Sequence, residues 1–184
     1  RSNSNRKSPV HMTDDMGIPE RVSVQDREKC DYRESGPVKP QTFMTYMSQL
    51  CPDTTRVLLD SGNSFLWGIH YWNCNRPRDF DSKKSLFHIG IGYASMGWAI
   101  GASVGVAAGA GGNPVVCVTG DGSVLMSGQE VTTALQENLN LLFVVLNDSS
   151  LGMVRHGQKI GGAERIGHEL PRINFAKIGE AMGI

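Results

Sequence analysis

Two aspartates stand directly after two short apolar runs. Residues 115–118 are Val, Val, Cys and Val, and Gly120-Asp121-Gly122 follows almost at once. Leu141–Leu146 is a second run, and Asn147-Asp148-Ser149-Ser150 follows it. Apolar, β-branched runs of this length suit buried parallel strands. Glycines on either side of Asp121 let the backbone turn sharply and approach a ligand closely. Both carboxylates then fall at strand carboxyl ends, where open α/β sheets bind ligands. Two hard oxygen ligands presented to one point suit Mg²⁺ or Ca²⁺, and Mg²⁺ keeps phosphate oxygens and water in its shell. A Gly-Asp-Gly tripeptide alone is more often an ordinary turn, so the weight rests on the whole string.

A third strand tip has the same character. Arg56–Leu59 reads as a strand that delivers Asp60-Ser61-Gly62-Asn63-Ser64 to the start of a helix carrying Phe65, Leu66, Trp67 and Ile69. The amino terminus of a helix offers free N–H groups to an anion. Taken alone, the same residues read equally well as plain capping by Ser61 or Asn63.

The elements that must position these tips follow from the rest of the chain. Gly36-Pro37 and Lys39-Pro40 open the domain, and Pro40 suits the first turn of a helix. Phe43, Met44, Met47 and Leu50 give that helix an apolar face, and Cys51-Pro52 ends it. His70, Tyr71 and Trp72 read as packing, and Arg76 and Arg78 as solvated. Residues 129–138 read as a helix between the two metal-bearing tips. Residues 155–167, with four glycines, read as a mobile loop in which His156 is an exposed residue rather than a proton donor. Phe175, Ile178 and Met182 mark a last amphipathic helix, after which a further strand is expected.

Residues 89–110 form an uncharged run of twenty-two, long enough to span a bilayer. Its richness in Gly, Ala and Ser and its direct passage into the strand at 115 argue against a membrane span. Gly97, Gly101, Gly105 and Gly109 repeat every four residues, a ridge suited to close helix contact. A fully buried helix over 95–109 is therefore expected, packed on the sheet or on a second subunit.

The chain of 184 residues carries 18 basic and 18 acidic side chains, so it lacks the basic excess of a nucleic-acid surface. Cys30, Cys51, Cys74 and Cys117 show no metal or redox spacing and read as reduced thiols of a cytoplasmic protein. Residues 1–36 are polar, without sustained apolar period, and read as a linker or tail in which only residues 21–24 suit a short edge strand. No signal pattern is present. The domain is expected over 37–184, as a piece of a longer enzyme.

The string from Gly120 to Val154 resembles the cofactor motif of thiamine-diphosphate enzymes: Gly-Asp-Gly, a gap of strand and helix size, then a pair of Asn residues. The second of that pair is the family's metal ligand, twenty-seven positions after the Asp, and that position here is Asp148. The acidic residue is a departure from the family pattern. Asn147-Asp148-Ser149-Ser150-Leu151-Gly152-Met153-Val154 is most similar to the acetolactate synthase branch. The resemblance implies a three-layer α/β sandwich with a mostly parallel sheet. It implies thiamine diphosphate and Mg²⁺, with Asp121, Asp148 and the carbonyl of Ser150 as protein ligands of the metal. It assigns Gly62, Asn63, Ser64, Gly120, Gly122 and Ser123 to the diphosphate, and Gly152 and Met153 to the cofactor's surroundings. Gly92-Tyr93-Ala94-Ser95-Met96-Gly97 aligns with the segment that holds the aminopyrimidine. Met96 is then the wedge that bends the cofactor, and the Ala94 carbonyl accepts from the ring amino group. Without the resemblance, Met96 reads as core filler.

The activity implied is decarboxylation of a small 2-keto acid and transfer of the remaining acyl unit to an acceptor. A Trp typical of the biosynthetic synthases falls at Gly157, which leaves the substrate open. A simple decarboxylase, an aldehyde lyase or a glyoxylate carboligase keeps the same fold. A non-catalytic binding domain is the alternative of a different class. The family's activating Glu lies on a pyrimidine-binding domain, normally of a partner subunit in a homodimer or homotetramer, and no segment here resembles that domain. No catalytic residue is therefore assigned within these residues.

Overall fold

The computed structural model describes residues 37–73 and 86–184. The tail, the edge strand at 21–24, Arg76, Arg78, Cys30 and Cys74 lie outside the described residues. Helix α1 (Pro40–Leu50) has proline in its first turn and stops at Cys51, whose backbone is extended before Pro52. Strand β1 (Arg56–Leu59) leads into α2 (Asn63–Tyr71), and β2 (Phe87–Ile89) follows. Helix α3 (Trp98–Gly109) precedes β3 (Val115–Gly120), and α4 (Asp121–Ser127) starts directly at the end of that strand. A 3₁₀ turn (Gly128–Glu130), α5 (Val131–Gln136), β4 (Leu141–Leu146), α6 (Gly152–Ile160) and α7 (Phe175–Met182) complete the described chain.

The described strands form one parallel sheet in the order β2-β1-β3-β4. Side chains alternate across it as strand geometry requires. Leu58, Val115 and Cys117 pack on one face with Ala99, Ile100 and Ala107 of α3. Val57, Leu59, Val116 and Val118 pack on the other with Met44 of α1 and with Trp72. Burying a Val or Leu fully contributes about 1.5–3 kcal/mol, so β1 and β3 anchor the fold. Helices lie on both faces, giving the expected three-layer α/β sandwich.

The order of strands fixes where a ligand can enter. The chain leaves β1 through α2 on the Met44 face. It returns from β2 through α3 on the opposite face to place β3 on the other side of β1. The order reverses between β1 and β3, and the crevice of such a sheet opens at their carboxyl ends.

Several expectations are corrected. The helix expected over 95–109 begins at Trp98, because Gly97 stands in the left-handed region at φ 84° and ends the preceding turn. Within this chain the sheet buries one side of it, and packing of the other side on a second subunit is left as an expectation. Ala99, Ile100, Ser103 and Ala107 face the sheet, while Gly101, Gly105 and Gly109 are exposed. A helix lying on a sheet buries one stripe, and the glycine row falls on the other. Strand β4 is half-buried rather than buried, because it is an edge of the described sheet. The helix expected over 129–138 is split into the 3₁₀ turn and α5, and Asn138 at φ 49° closes it. The loop expected from Arg155 is helix through Ile160. Arg155, Gln158 and Lys159 cost a helix little, Gly157 costs it about 1 kcal/mol, and Gly162 at φ 67° lies just beyond its end. Leu50, expected on the apolar face of α1, is 77% exposed and is the last residue of the helix. His70 is exposed, whereas Trp72 packs edge-on to Phe87 with ring centroids 6.1 Å apart, so the aromatic group is packing as expected.

Candidate functional site

Asp121 is the first residue of α4 and is 4% exposed. Its Oδ1 accepts the Gly122 N–H at 2.8 Å, and its Oδ2 accepts nothing. Ser123 is fully buried, and its hydroxyl is also without a partner. A buried carboxylate oxygen left unpaired costs at least 1–3 kcal/mol, roughly, so these atoms suit a bound cation or donor that satisfies them. A Cβ on Gly120 would meet nothing within 4 Å, which leaves the backbone bare beside Asp121. On the neighbouring tip, Gly62 adopts φ 112° and ψ −155°, a region open to glycine alone, and starts α2 without a side-chain cap. The capping alternative for Ser61 and Asn63 is thus not what the helix uses. The Ser64 hydroxyl donates to the carbonyl of Asp60 at 2.9 Å, so its backbone N–H is the donor left for an anion.

Strand register carries the third tip to the same place. Gly120 pairs with Leu146, so Asp121 and Asn147 leave adjacent strand ends, with Asp148 one residue on. A Cβ on Gly152 would overlap the Asn63 amide nitrogen and stand 3.5 Å from Asp148 Oδ2. Asn63 of the β1 tip and Asp148 of the β4 tip therefore both converge on the start of α6. A Cβ on Gly122 would stand 3.0 Å from Met96 Cε and 2.7 Å from Leu151 Cδ2. The wedge candidate, the Gly-Asp-Gly turn and the start of α6 thus share one cleft of about 1700 Å³, which Met153 also lines. Ala94, at φ 56°, sits in an exposed left-handed turn and is not among the residues lining the cleft.

Asp148 is half in solvent, with Oδ2 3.6 Å from Arg155 Nη2. Ser150 is buried, its hydroxyl 3.4 Å from His168 Nδ1. The N–H of Leu151 donates to the His168 carbonyl and that of Leu170 to the Ser149 carbonyl, at 2.7 and 2.9 Å. The turn at the β4 tip is therefore braced by a returning segment that sequence reasoning did not single out. Arg155 as the partner of Asp148 was also missed, although an acidic and a basic residue seven apart across a helix start carry that signal. The largest omission is Asp60. It is fully buried, and its carboxylate accepts from Gly97 N–H, Ala99 N–H and the Thr119 hydroxyl at 3.0, 3.3 and 2.7 Å. Its place directly after a strand, like that of Asp121, with a glycine two residues on, was the available signal.

Among the described residues no three His, Cys, Asp or Glu side chains group to hold a metal. Asp121 and Asp148 stand instead at the tips of adjacent strands, a placement open to an ion that shares its shell with a phosphate ligand and water. No helix among the described residues is long and apolar enough to cross a membrane.

Residues 60–184 match the model of the thiamine pyrophosphate enzyme C-terminal TPP-binding domain. Acetolactate synthase large subunit of Buchnera aphidicola subsp. Acyrthosiphon pisum is 34% identical over 153 residues, 81% of this chain and 25% of that protein. Acetolactate synthase isozyme 3 large subunit of Escherichia coli strain K12 is 32% identical over 148 residues, 79% of this chain and 25% of its own length. The mitochondrial acetolactate synthase catalytic subunit of Aspergillus candidus is 30% identical over 161 residues, 84% of this chain and 22% of that protein. The chain thus spans about a quarter of the length of these relatives. With its parallel sheet, its reversal of strand order at β1 and β3 and this match across the three strand tips, the chain belongs to the thiamine pyrophosphate enzymes, as a C-terminal TPP-binding domain similar to that of acetolactate synthases.

Proposed function

We propose that this domain anchors thiamine diphosphate and Mg²⁺ in a 2-keto acid decarboxylase and carboligase of the acetolactate synthase type. The observation that carries the reading is the pair of buried, unpartnered oxygens, Asp121 Oδ2 and Ser123 Oγ, at the reversal point of the sheet. Asp121, Asp148 and the Ser150 carbonyl hold the ion. Backbone N–H groups of Asn63, Ser64, Gly122 and Ser123 receive the diphosphate, and Gly62 and Gly120 keep the approach clear of side chains. Met96 would support the cofactor between its two rings, and the Ala94 carbonyl would accept a hydrogen bond from the ring amino group. Gly152 and Met153 form the wall at the start of α6. What thiamine diphosphate supplies when bound is an electron sink for decarboxylation.

Turnover also requires the activating Glu of a pyrimidine-binding domain on a partner subunit, in a homodimer or homotetramer. The exposed row Gly101, Gly105 and Gly109 on α3 is free to meet a second subunit. These residues by themselves give no turnover. A cytoplasmic setting belongs to the same reading, and the free thiols Cys51 and Cys117 fit it.

Calorimetric titration of the complete protein with thiamine diphosphate, in Mg²⁺ and in EDTA, tests the site. Two carboxylates and a diphosphate repel one another without a divalent ion between them, so binding should weaken strongly in EDTA. Equal affinity in both buffers refutes the reading. Product analysis with pyruvate and other keto acids separates a synthase from a simple decarboxylase, an aldehyde lyase or a glyoxylate carboligase.

A further inference from the structure

The turn that carries Met96 is a strained piece of chain. Ala94 stands at φ 56° and Gly97 at φ 84°, both left-handed, and residues 91–95 are exposed. A non-glycine residue held in that region persists only where its surroundings fix it. A Cβ on Gly97 would fall 2.5 Å from the Ser127 hydroxyl oxygen, so the turn also lies close against the end of α4. What fixes it from below is a single carboxylate. Asp60 Oδ2 accepts the Gly97 N–H at 3.0 Å and the Thr119 hydroxyl at 2.7 Å, and Oδ1 accepts the Ala99 N–H at 3.3 Å. The backbone of Asp60 is tied as well, its N–H to the Val118 carbonyl at 2.9 Å and its carbonyl to the Ser64 hydroxyl at 2.9 Å.

We propose that Asp60 is a positioning residue, clamping the Met96–Gly97 turn to the two strand tips that flank the reversal of the sheet. Through Thr119 it reaches the residue before Gly120, and through Gly97 it reaches the residue after Met96. The distance between the Met96 side chain and the Asp121 end of the cleft is therefore set by one fully buried anion rather than by the sheet alone. Only a carboxylate serves. Three donors converge on it, and an amide would turn its own N–H₂ toward at least one of them. The clamp rests on the reading of Met96 as part of a cofactor site, and its test separates the two.

The test compares Asp60→Asn, Thr119→Val and Thr119→Ser in the complete protein. Thr119→Val removes one donor at nearly constant volume, and Thr119→Ser restores it. The first readout is amide hydrogen exchange without cofactor. Losing a hydrogen bond to a charged group should speed exchange at Gly97 and Ala99 about ten- to a hundredfold in Asp60→Asn and Thr119→Val, with Cys117 and Val118 unchanged and Thr119→Ser close to wild type. The second is thiamine diphosphate affinity with Mg²⁺, which should fall about tenfold in the same two variants and recover in Thr119→Ser. Exchange that stays slow at Gly97 and Ala99 overturns the clamp, as does exchange that rises equally throughout the sheet. Faster exchange at the turn with unaltered cofactor affinity overturns it too. Wild-type protein that binds no thiamine diphosphate refutes the site reading instead, and the exchange readout then judges the clamp by itself.

Discussion

Asp148 stands where the family pattern has a neutral amide, and Arg155 lies 3.6 Å from it, with the two side chains about 51% and 37% exposed. Replacing Asp148 by Asn removes one negative charge from the expected metal position. Two unit charges about 4 Å apart in water interact by about 1 kcal/mol, hence about 2 kcal/mol for a divalent ion. In the wild type, part of that attraction is offset by detaching Arg155, worth about 0.5 kcal/mol for an exposed pair. The net loss in Asp148→Asn is about 1.5 kcal/mol, or about tenfold in Mg²⁺ affinity of the cofactor-free protein. Arg155→Gln should act in the opposite direction, tightening Mg²⁺ by about two- to threefold, because the carboxylate is no longer shared. At saturating Mg²⁺ the diphosphate meets one negative charge fewer in Asp148→Asn, so thiamine diphosphate should bind as well or better. Calorimetry with MgCl₂, first without and then with the cofactor, reads all of these. Unchanged metal affinity in Asp148→Asn would show that Asp148 serves only Arg155 and solvent, and would remove it from the metal site.

Met96→Ala should leave the melting curve nearly unchanged and cut turnover of the complete enzyme; a loss confined to stability, about 2–5 kcal/mol, would mark Met96 as core instead. Gly68→Ala should destabilise by about 1–3 kcal/mol in denaturant titration, because the new methyl would overlap the methyl groups of the fully buried Leu59, and an unchanged midpoint would contradict that packing. Burial pushes the Cys117 thiol from 9.0 up to about 12, with a hydrogen bond to Ser103 opposing and the Asp60 carboxylate adding to the rise. The folded state favours the neutral thiol, so its contribution to stability is complete below pH 9 and is lost as pH climbs toward 12. Stability should therefore fall more steeply over that interval in wild type than in Cys117→Ala, and parallel curves would contradict the assignment.

Where periodicity was strong, the sequence was easy to read. Arg56–Leu59 and Leu141–Leu146 are strands with the expected bounds, because β-branched or apolar runs ended by polar turns leave little choice. Asp121, Met96 and Asn63, singled out from the sequence, line one cleft. What escaped were features that depend on partners distant in sequence. Asp60 and Gly97 lie 37 positions apart, and nothing local announces their hydrogen bond. Helix α4 was hidden because Gly-Asp-Gly reads locally as a turn, whereas the end of β3 gives it a helix start. The glycine row of α3 does not lie on the sheet, and a row of glycines looks alike in sequence whether it meets a sheet or a second subunit.

The central position of β3 has a further consequence. Its residues from Val115 to Thr119 are buried, and it is paired on both sides, whereas β4 lies at the edge of the described sheet and α6 beyond it is largely exposed in this chain. Local opening should therefore be graded across the cleft, latest under Asp121 and earliest around Met153 and Val154. One wall can fluctuate while the anchor stays folded. Substitutions that reshape α6 can accumulate there at small cost to global stability, and changes beneath Asp121 cannot. A domain built this way can reshape one wall of the cleft while the Asp121 end stays fixed.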